Sequence, residues 1–210
     1  MMGKASALDF HLYLLVSDRE GLKAAIEGGV DLVQFRYKGD SEDMMRIKLQ
    51  EVLDICREAG VPLIINDRPG LAARFGADGV HLGQGDMAVA KARGFVGPDG
   101  VIGVSVHSVE EAVRAEAEGA DYVAVGPVFA TGSKVVDIEP VGTHLVEQVI
   151  AHVTVPVVAI GGITAENVER VAMTGCTRVA VIGGILGGGD PRENARAMRA
   201  AMDLAVSAWR

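Results

Sequence analysis

Aromatic side chains make up only 4% of the 210 residues, too few for the stacking surface that single-stranded nucleic acid needs. Positive charge is also short. Twenty Lys and Arg face 28 Asp and Glu, for a formal net charge of −8. That balance argues against nucleic-acid partners and against anionic membrane surfaces. It also means that an anion site has to be assembled locally, from a few cations or a metal. The two cysteines, Cys56 and Cys176, are far apart and lack metal-ligand spacing. They are expected as reduced, buried thiols of a cytoplasmic protein. No apolar run approaches the roughly 18 residues of a membrane helix, so no membrane partner is expected. Met1 to Phe10 carry one Lys and lead into no long apolar region, so a secretion signal is not expected either.

What the chain does have is apolar residues, 49% of the total, in a repeating order. Short Val- and Ile-rich runs near 12–17, 31–36, 62–66, 78–82, 101–105, 121–126, 156–161 and 178–182 read as buried parallel strands. Amphipathic stretches near 20–28, 42–59, 69–75, 87–93, 108–118, 141–151, 165–174 and 191–208 read as helices between them. Eight strand–helix pairs select a closed (β/α)8 TIM barrel over an open doubly wound sheet. The length fits one α/β domain over residues 1–210. A phrase recurs within it: Gly29-Val30-Asp31, Gly76-Ala77-Asp78 and Gly119-Ala120-Asp121, with a degenerate copy at Gly175-Cys176-Thr177. Each glycine follows a helix and precedes an even-numbered strand, where a left-handed cap is expected.

In such a barrel the chemistry sits at the C-terminal strand ends. After the second strand, Gln34, Arg36 and Lys38 share one face by strand alternation. Over roughly 13 Å they offer an amide, a guanidinium and an ammonium. That face suits a ligand with a flat heterocycle at one end and phosphate at the other. Strand three ends Asn66-Asp67, and strand four runs into Gly83-Gln84-Gly85-Asp86. Two carboxylates on neighbouring strand ends, with cations nearby, suit Mg2+, which takes one or two carboxylates and completes its shell with water and phosphate oxygens. The structural alternative makes Asp67 a turn residue and Asp86 the cap of a helix starting at Met87. Strand five supplies Ser105, a donor to phosphate, and His107, a structural residue or a general base. Ser108 and Glu111 form a capping box. The loop Thr131-Gly132-Ser133-Lys134 reads as anion-binding. Paired glycines after strands seven and eight, Gly161-Gly162 and Gly183-Gly184, let backbone N–H groups approach a phosphate.

Together these segments resemble the thiamine phosphate synthase family, from Leu12-Tyr13-Leu14 to Asp190-Pro191. The family joins a hydroxymethylpyrimidine diphosphate to a hydroxyethylthiazole phosphate and releases diphosphate. The resemblance implies that Gln34, Arg36, Lys38, Asn66, Ser105 and Lys134 line the pyrimidine diphosphate, with Arg36, Lys38, Ser105 and Lys134 acting in catalysis. It implies Mg2+ on Asp67 and Asp86. Thr131, Gly132, Ser133, Gly162, Ile182 and Gly183 would hold the thiazole phosphate. Tyr37 stands where the family often has Glu, Ser133 where Thr is frequent, and Gly183 where Ser is common, which removes one donor to that phosphate. Three readings compete: a thiazole tautomerase-like enzyme using His107, another phosphate-barrel isomerase or epimerase, and a non-catalytic binder of thiazole phosphate or thiamine phosphate. Partners are expected to be small molecules, and a homo-oligomer is left open.

Overall fold

Eight short runs rich in Val, Ile and Leu become strands, each hydrogen-bonded to a parallel neighbour on both sides. In the computed structural model, which describes residues 8–131 and 139–209, they are β1 (Leu12–Val16), β2 (Leu32–Phe35), β3 (Leu63–Asn66), β4 (Gly79–Leu82), β5 (Val101–Val106), β6 (Tyr122–Val125), β7 (Val157–Ile160) and β8 (Val179–Val181). β1 pairs with both β2 and β8, so the sheet closes in sequence order. Around it lie α1 (Leu22–Glu27), α2 (Glu42–Ala59), α3 (Pro69–Phe75), α4 (Val89–Val96), α5 (Val109–Ala117), α6 (Gly142–His152), α7 (Val168–Ala172), α8 (Gly183–Leu186) and α9 (Pro191–Trp209). This is the (β/α)8 barrel that the eightfold count implies. The short α8 is an addition to the sequence reading. Four residues are too few to carry a 3.6-residue period.

Local chemistry sets the helix limits. The Ser41 hydroxyl accepts from the Met44 N–H to open α2, and Gly60, left-handed at φ 67°, closes it. Pro69 starts α3, where its missing N–H costs nothing. Strand alternation then divides the apolar side chains into two cores. Leu12, Leu14 and Val16 of β1 pack outward against the helices. Tyr13 and Leu15 point inward, joining Leu32, Ile64, Val101, Tyr122, Ala124, Val158 and Ala180 inside the barrel. Gly103 is required by this interior, because a β-carbon there would collide with the Tyr122 ring.

The repeated Gly-x-Asp phrase acts at the N-terminal end of the barrel. The four glycines are left-handed, with φ of 112° at Gly29, 63° at Gly76, 93° at Gly119 and 87° at Gly175. Each aspartate then clasps the preceding odd-numbered strand. Asp31 accepts from the Leu12 N–H at 2.8 Å and donates its own N–H to the Leu12 carbonyl. Asp78 does the same with Leu63, and Asp121 with Ile102. Arg199 anchors Asp31, and Arg93 anchors Asp121, both at 2.7 Å. In the fourth copy Thr177 stands in the aspartate's place, and its carbonyl meets His11 Nδ1 instead. Asp121→Ala strips the acceptor from the Ile102 N–H and the carboxylate from Arg93, leaving that guanidinium its carbonyl partners at Gly100 and Gly119. The expected loss is about 2–3 kcal/mol in urea unfolding, and a loss under about 0.5 kcal/mol, the scale of an ordinary surface substitution, contradicts the clasp.

Candidate active site

The inward register that fills the barrel bottom with apolar groups changes character at the top. The last inward residues of four successive strands are polar: Gln34, Asn66, His81 and Ser105. They line a cavity of about 500 Å3 together with Arg36, His107, Thr131, Gly161, Gly162, Ile182 and Gly183. The opposite wall, from β6 to β8, contributes Ala124, Ile160 and Ala180. Gln34 is 2% exposed. Its Nε2 donates to the Tyr13 hydroxyl at 2.6 Å, while its Oε1 is buried without a hydrogen-bond partner. An unused acceptor at a cavity wall is a standing cost that a ligand donor removes.

The three-residue polar face expected over Gln34–Lys38 holds in part. β2 stops at Phe35. Alternation nevertheless continues to Tyr37, which stacks on Phe35 with rings 2° from parallel and lies under Lys48 of α2. Gln34 and Arg36 reach the cavity, but Lys38 does not line it. Free of the ladder, Lys38 turns to Asp67 at 3.0 Å.

Asp67 and Asp86, from the ends of β3 and β4, lie close enough for each carboxyl to shift the other. Asp67 holds φ 62°, the one non-glycine left-handed residue among those described, a conformation that neighbouring structure must impose. Its N–H donates to the His81 carbonyl. Burial pushes the Asp67 carboxyl up, but Lys38 and the neighbouring Asp86 outweigh it and hold the pKa below the usual range. Burial and the adjacent Asp67 drive Asp86 above that range, although the Gly83 N–H donates to it at 2.7 Å. That last contact corrects the alternative role for Asp86. It does not cap a helix at Met87, because α4 starts at Val89 behind Ala88. Instead it closes its own turn. Gln84 pins the turn, donating to the Ser105 carbonyl and accepting from Arg114. Two oxygen-only carboxylates held together, with Lys38 offsetting only part of their like charge, fit a hard divalent cation that draws its other ligands from water and substrate. No cluster of three or more His, Cys, Asp or Glu suited to a metal occurs among the described residues.

Ser108 accepts from the Glu111 N–H as expected, but the Glu111 carboxylate reaches one residue further back, to the His107 N–H at 2.7 Å. The His107 Nδ1 meets the Gly126 carbonyl at 2.6 Å. A carbonyl only accepts, so that nitrogen carries the proton and Nε2 is the basic one. Around the glycine pair after β7, Gly161 and Gly162 have φ of 102° and 65°. A β-carbon on Gly162 would strike the Ala130 carbonyl, and the Asn167 side chain ties Gly162 to Thr164. Of the expected anion loop, Thr131 lines the cavity, whereas Gly132, Ser133 and Lys134 lie outside the described residues.

Sequence reasoning missed Tyr13 and Tyr122, which bridge the cavity floor. The available signal was placement: two of the three tyrosines sit at inward positions of strands otherwise filled by aliphatics.

A family model for thiamine monophosphate synthase matches residues 13–185. The chain is 44% identical to a thiamine-phosphate synthase of Desulfitobacterium hafniense over 97% of its own length and 99% of the relative's. It is 39% identical to one of Shouchella clausii, over 93% and 98%. Thiamine phosphate pyrophosphorylase from Pyrococcus furiosus superposes with a TM-score of 0.86 at 32% identity, covering 95% of this chain and 98% of that one. A phosphate-type barrel with an acidic pair at one side of its mouth defines the class. Within that class, the chain belongs to the thiamine monophosphate synthase family.

The like-charge contact makes a prediction about stability. With its pKa raised, Asp86 is a stabilising neutral acid at low pH and loses that contribution as pH rises through its folded-state value. Asp86→Asn keeps an acceptor for Gly83 and removes the repulsion. The expected result is a higher Tm than the parent at neutral pH, with the advantage vanishing in acid below the ordinary carboxylate range. An unchanged Tm difference across that range contradicts the contact.

Proposed function

We propose that this chain forms thiamine phosphate from a hydroxymethylpyrimidine diphosphate and a hydroxyethylthiazole phosphate, releasing diphosphate. The observation that carries the reading is the closely set Asp67–Asp86 pair, with Lys38 on Asp67, beside a cavity wall whose buried amide has an acceptor to spare. Family membership and the names of the relatives support the same overall reaction.

Gln34 Oε1 accepts from the exocyclic amine of the pyrimidine, with Asn66 beside it. The diphosphate points toward Arg36, Lys38 and Ser105, and the family resemblance assigns Lys134 to it as well. Mg2+, held by Asp67 and Asp86, would neutralise charge developing on the leaving diphosphate. The carbon–oxygen bond breaks with its electron pair leaving on diphosphate, and the electron-rich aminopyrimidine carries the positive charge. The thiazole nitrogen lone pair then forms the new carbon–nitrogen bond, so no protein nucleophile takes part. Thr131, Gly132, Ser133, Gly162 and the Ile182-Gly183 backbone seat the thiazole phosphate at the end of β8, where α8 begins. The protein's work is alignment, stabilisation of the departing charge and exclusion of water. We read the whole chain, residues 1–210, as one cytoplasmic domain acting on small molecules. Its two thiols are free and buried, and no described helix is long and apolar enough to cross a membrane. The tautomerase-like reading through His107 is not favoured, since it leaves Asp67, Asp86 and Lys134 without a task.

Diphosphate release is expected only with both substrates and Mg2+ present. Asp67→Ala and Lys134→Ala are each expected to cut kcat by about a hundredfold or more while the far-ultraviolet circular dichroism is retained. Release without the thiazole phosphate means a hydrolase, and tight product binding without turnover means a binder. Full activity in Asp86→Ala alongside loss in His107→Ala restores the tautomerase-like reading.

A further inference from the structure

Along the base of the cavity, which Gln34, Tyr13, His81 and Ser105 line, five side chains from five strands form one unbroken hydrogen-bonded line. Gln34 Nε2 donates to the Tyr13 hydroxyl at 2.6 Å, and the Tyr13 and Tyr122 hydroxyls lie 3.0 Å apart. The Tyr122 hydroxyl meets His81 Nδ1 at 2.9 Å, and His81 Nε2 meets Ser105 Oγ at 2.9 Å. Burial pushes both phenols above their ordinary pKa, so each brings one proton to the line and no more.

With one proton shared out to each bond and none spent elsewhere, the Gln34 donation sets one direction for the whole line. Tyr13 accepts from Gln34 and therefore gives its proton to Tyr122. Tyr122 gives its own to His81 Nδ1. The imidazole proton sits on Nε2 and goes to Ser105, whose hydroxyl hydrogen is left to point into the cavity. Rotating the Gln34 amide by half a turn reverses every one of these bonds. Ser105 then donates downward to His81 and turns lone pairs toward the cavity, which repels an anion. Each end of the line is therefore locked to the other across the barrel.

We propose that Tyr13, Tyr122 and His81 are positioning residues, a one-way relay that makes Ser105 a donor to the ligand's phosphate whenever Gln34 accepts from its heterocycle. A ligand whose ring offers an acceptor in place of the amine turns the amide over and withdraws the phosphate donor with it. Recognition of the heterocycle and grip on the phosphate become one event. This deepens the proposed pyrimidine diphosphate reading and its kinetic consequence rests on that reading, whereas the proton positions do not.

The test begins with long-range 1H–15N NMR of the histidine-labelled, ligand-free full chain, with His81 assigned by its loss in His81→Gln. His81 is expected protonated on Nε2 and bare on Nδ1. Tyr122→Phe should shift it to a mixture of both forms. A proton on Nδ1 in the parent protein overturns the relay, whether or not the protein makes thiamine phosphate. In turnover, Tyr122→Phe and Ser105→Ala are each expected to lower kcat about tenfold. The double variant should be about as slow as either single one, because both remove the same donor. Multiplying effects, about a hundredfold in the double variant, overturn the proposal. Should Tyr122→Phe not fold, Tyr13→Phe cuts the line at its other phenol and carries the same expectations. If the parent makes no thiamine phosphate, the functional reading falls and the NMR result still decides the relay.

Discussion

Strand alternation inside a closed barrel constrains everything else here. Each strand must turn every second side chain into an interior too narrow to admit bulk water to its base. Polar groups placed there have to find one another or a ligand. The lower interior meets the demand with aliphatics and the faces of Phe10, Tyr13 and Tyr122, which pack edge to face with centroids 5.6–6.2 Å apart. Higher up, the demand is met by the Gln34–Ser105 line, with one atom left over, Gln34 Oε1. In the proposed reading, that single remainder is what recognises the heterocycle.

Just outside the barrel the logic is electrostatic. Asp67 and Asp86 are held in contact by features that have no other evident use: a left-handed backbone at Asp67, the Gly83–Asp86 turn and the brace of Gln84 between Ser105 and Arg114. Lys38 offsets part of the repulsion for Asp67 and leaves Asp86 with the rest. Two like charges held this close cost stability, which a cation, in the proposed reading, would offset.

Much of this could be read in advance because it is local or periodic. The glycines at 29, 76, 119 and 175 announce left-handed turns by position. Gln34, Asn66 and Ser105 announce a site because polar groups interrupt apolar runs at strand ends. Lys38 does not follow Gln34 and Arg36 into the cavity: β2 ends at Phe35, alternation runs on only to Tyr37, and the lysine turns to Asp67 instead. Asp86 looked like a helix cap because its bond to Gly83 depends on the conformation of the intervening turn, which composition does not reveal. The relay was beyond sequence reasoning. Its contacts join residues 109 and 41 positions apart, and only closure of the barrel brings them together.

The missing fourth aspartate has a bearing on how the molecule breathes. Three strand pairs are clasped at their base, but β7 and β8 share only two register pairs and have Thr177 where the others have a carboxylate. The barrel therefore has a seam. Backbone amides along it are the natural first point of transient opening. The seam runs up to the two glycine pairs, so the weakest stave of the wall is the one against which the second substrate would have to be admitted.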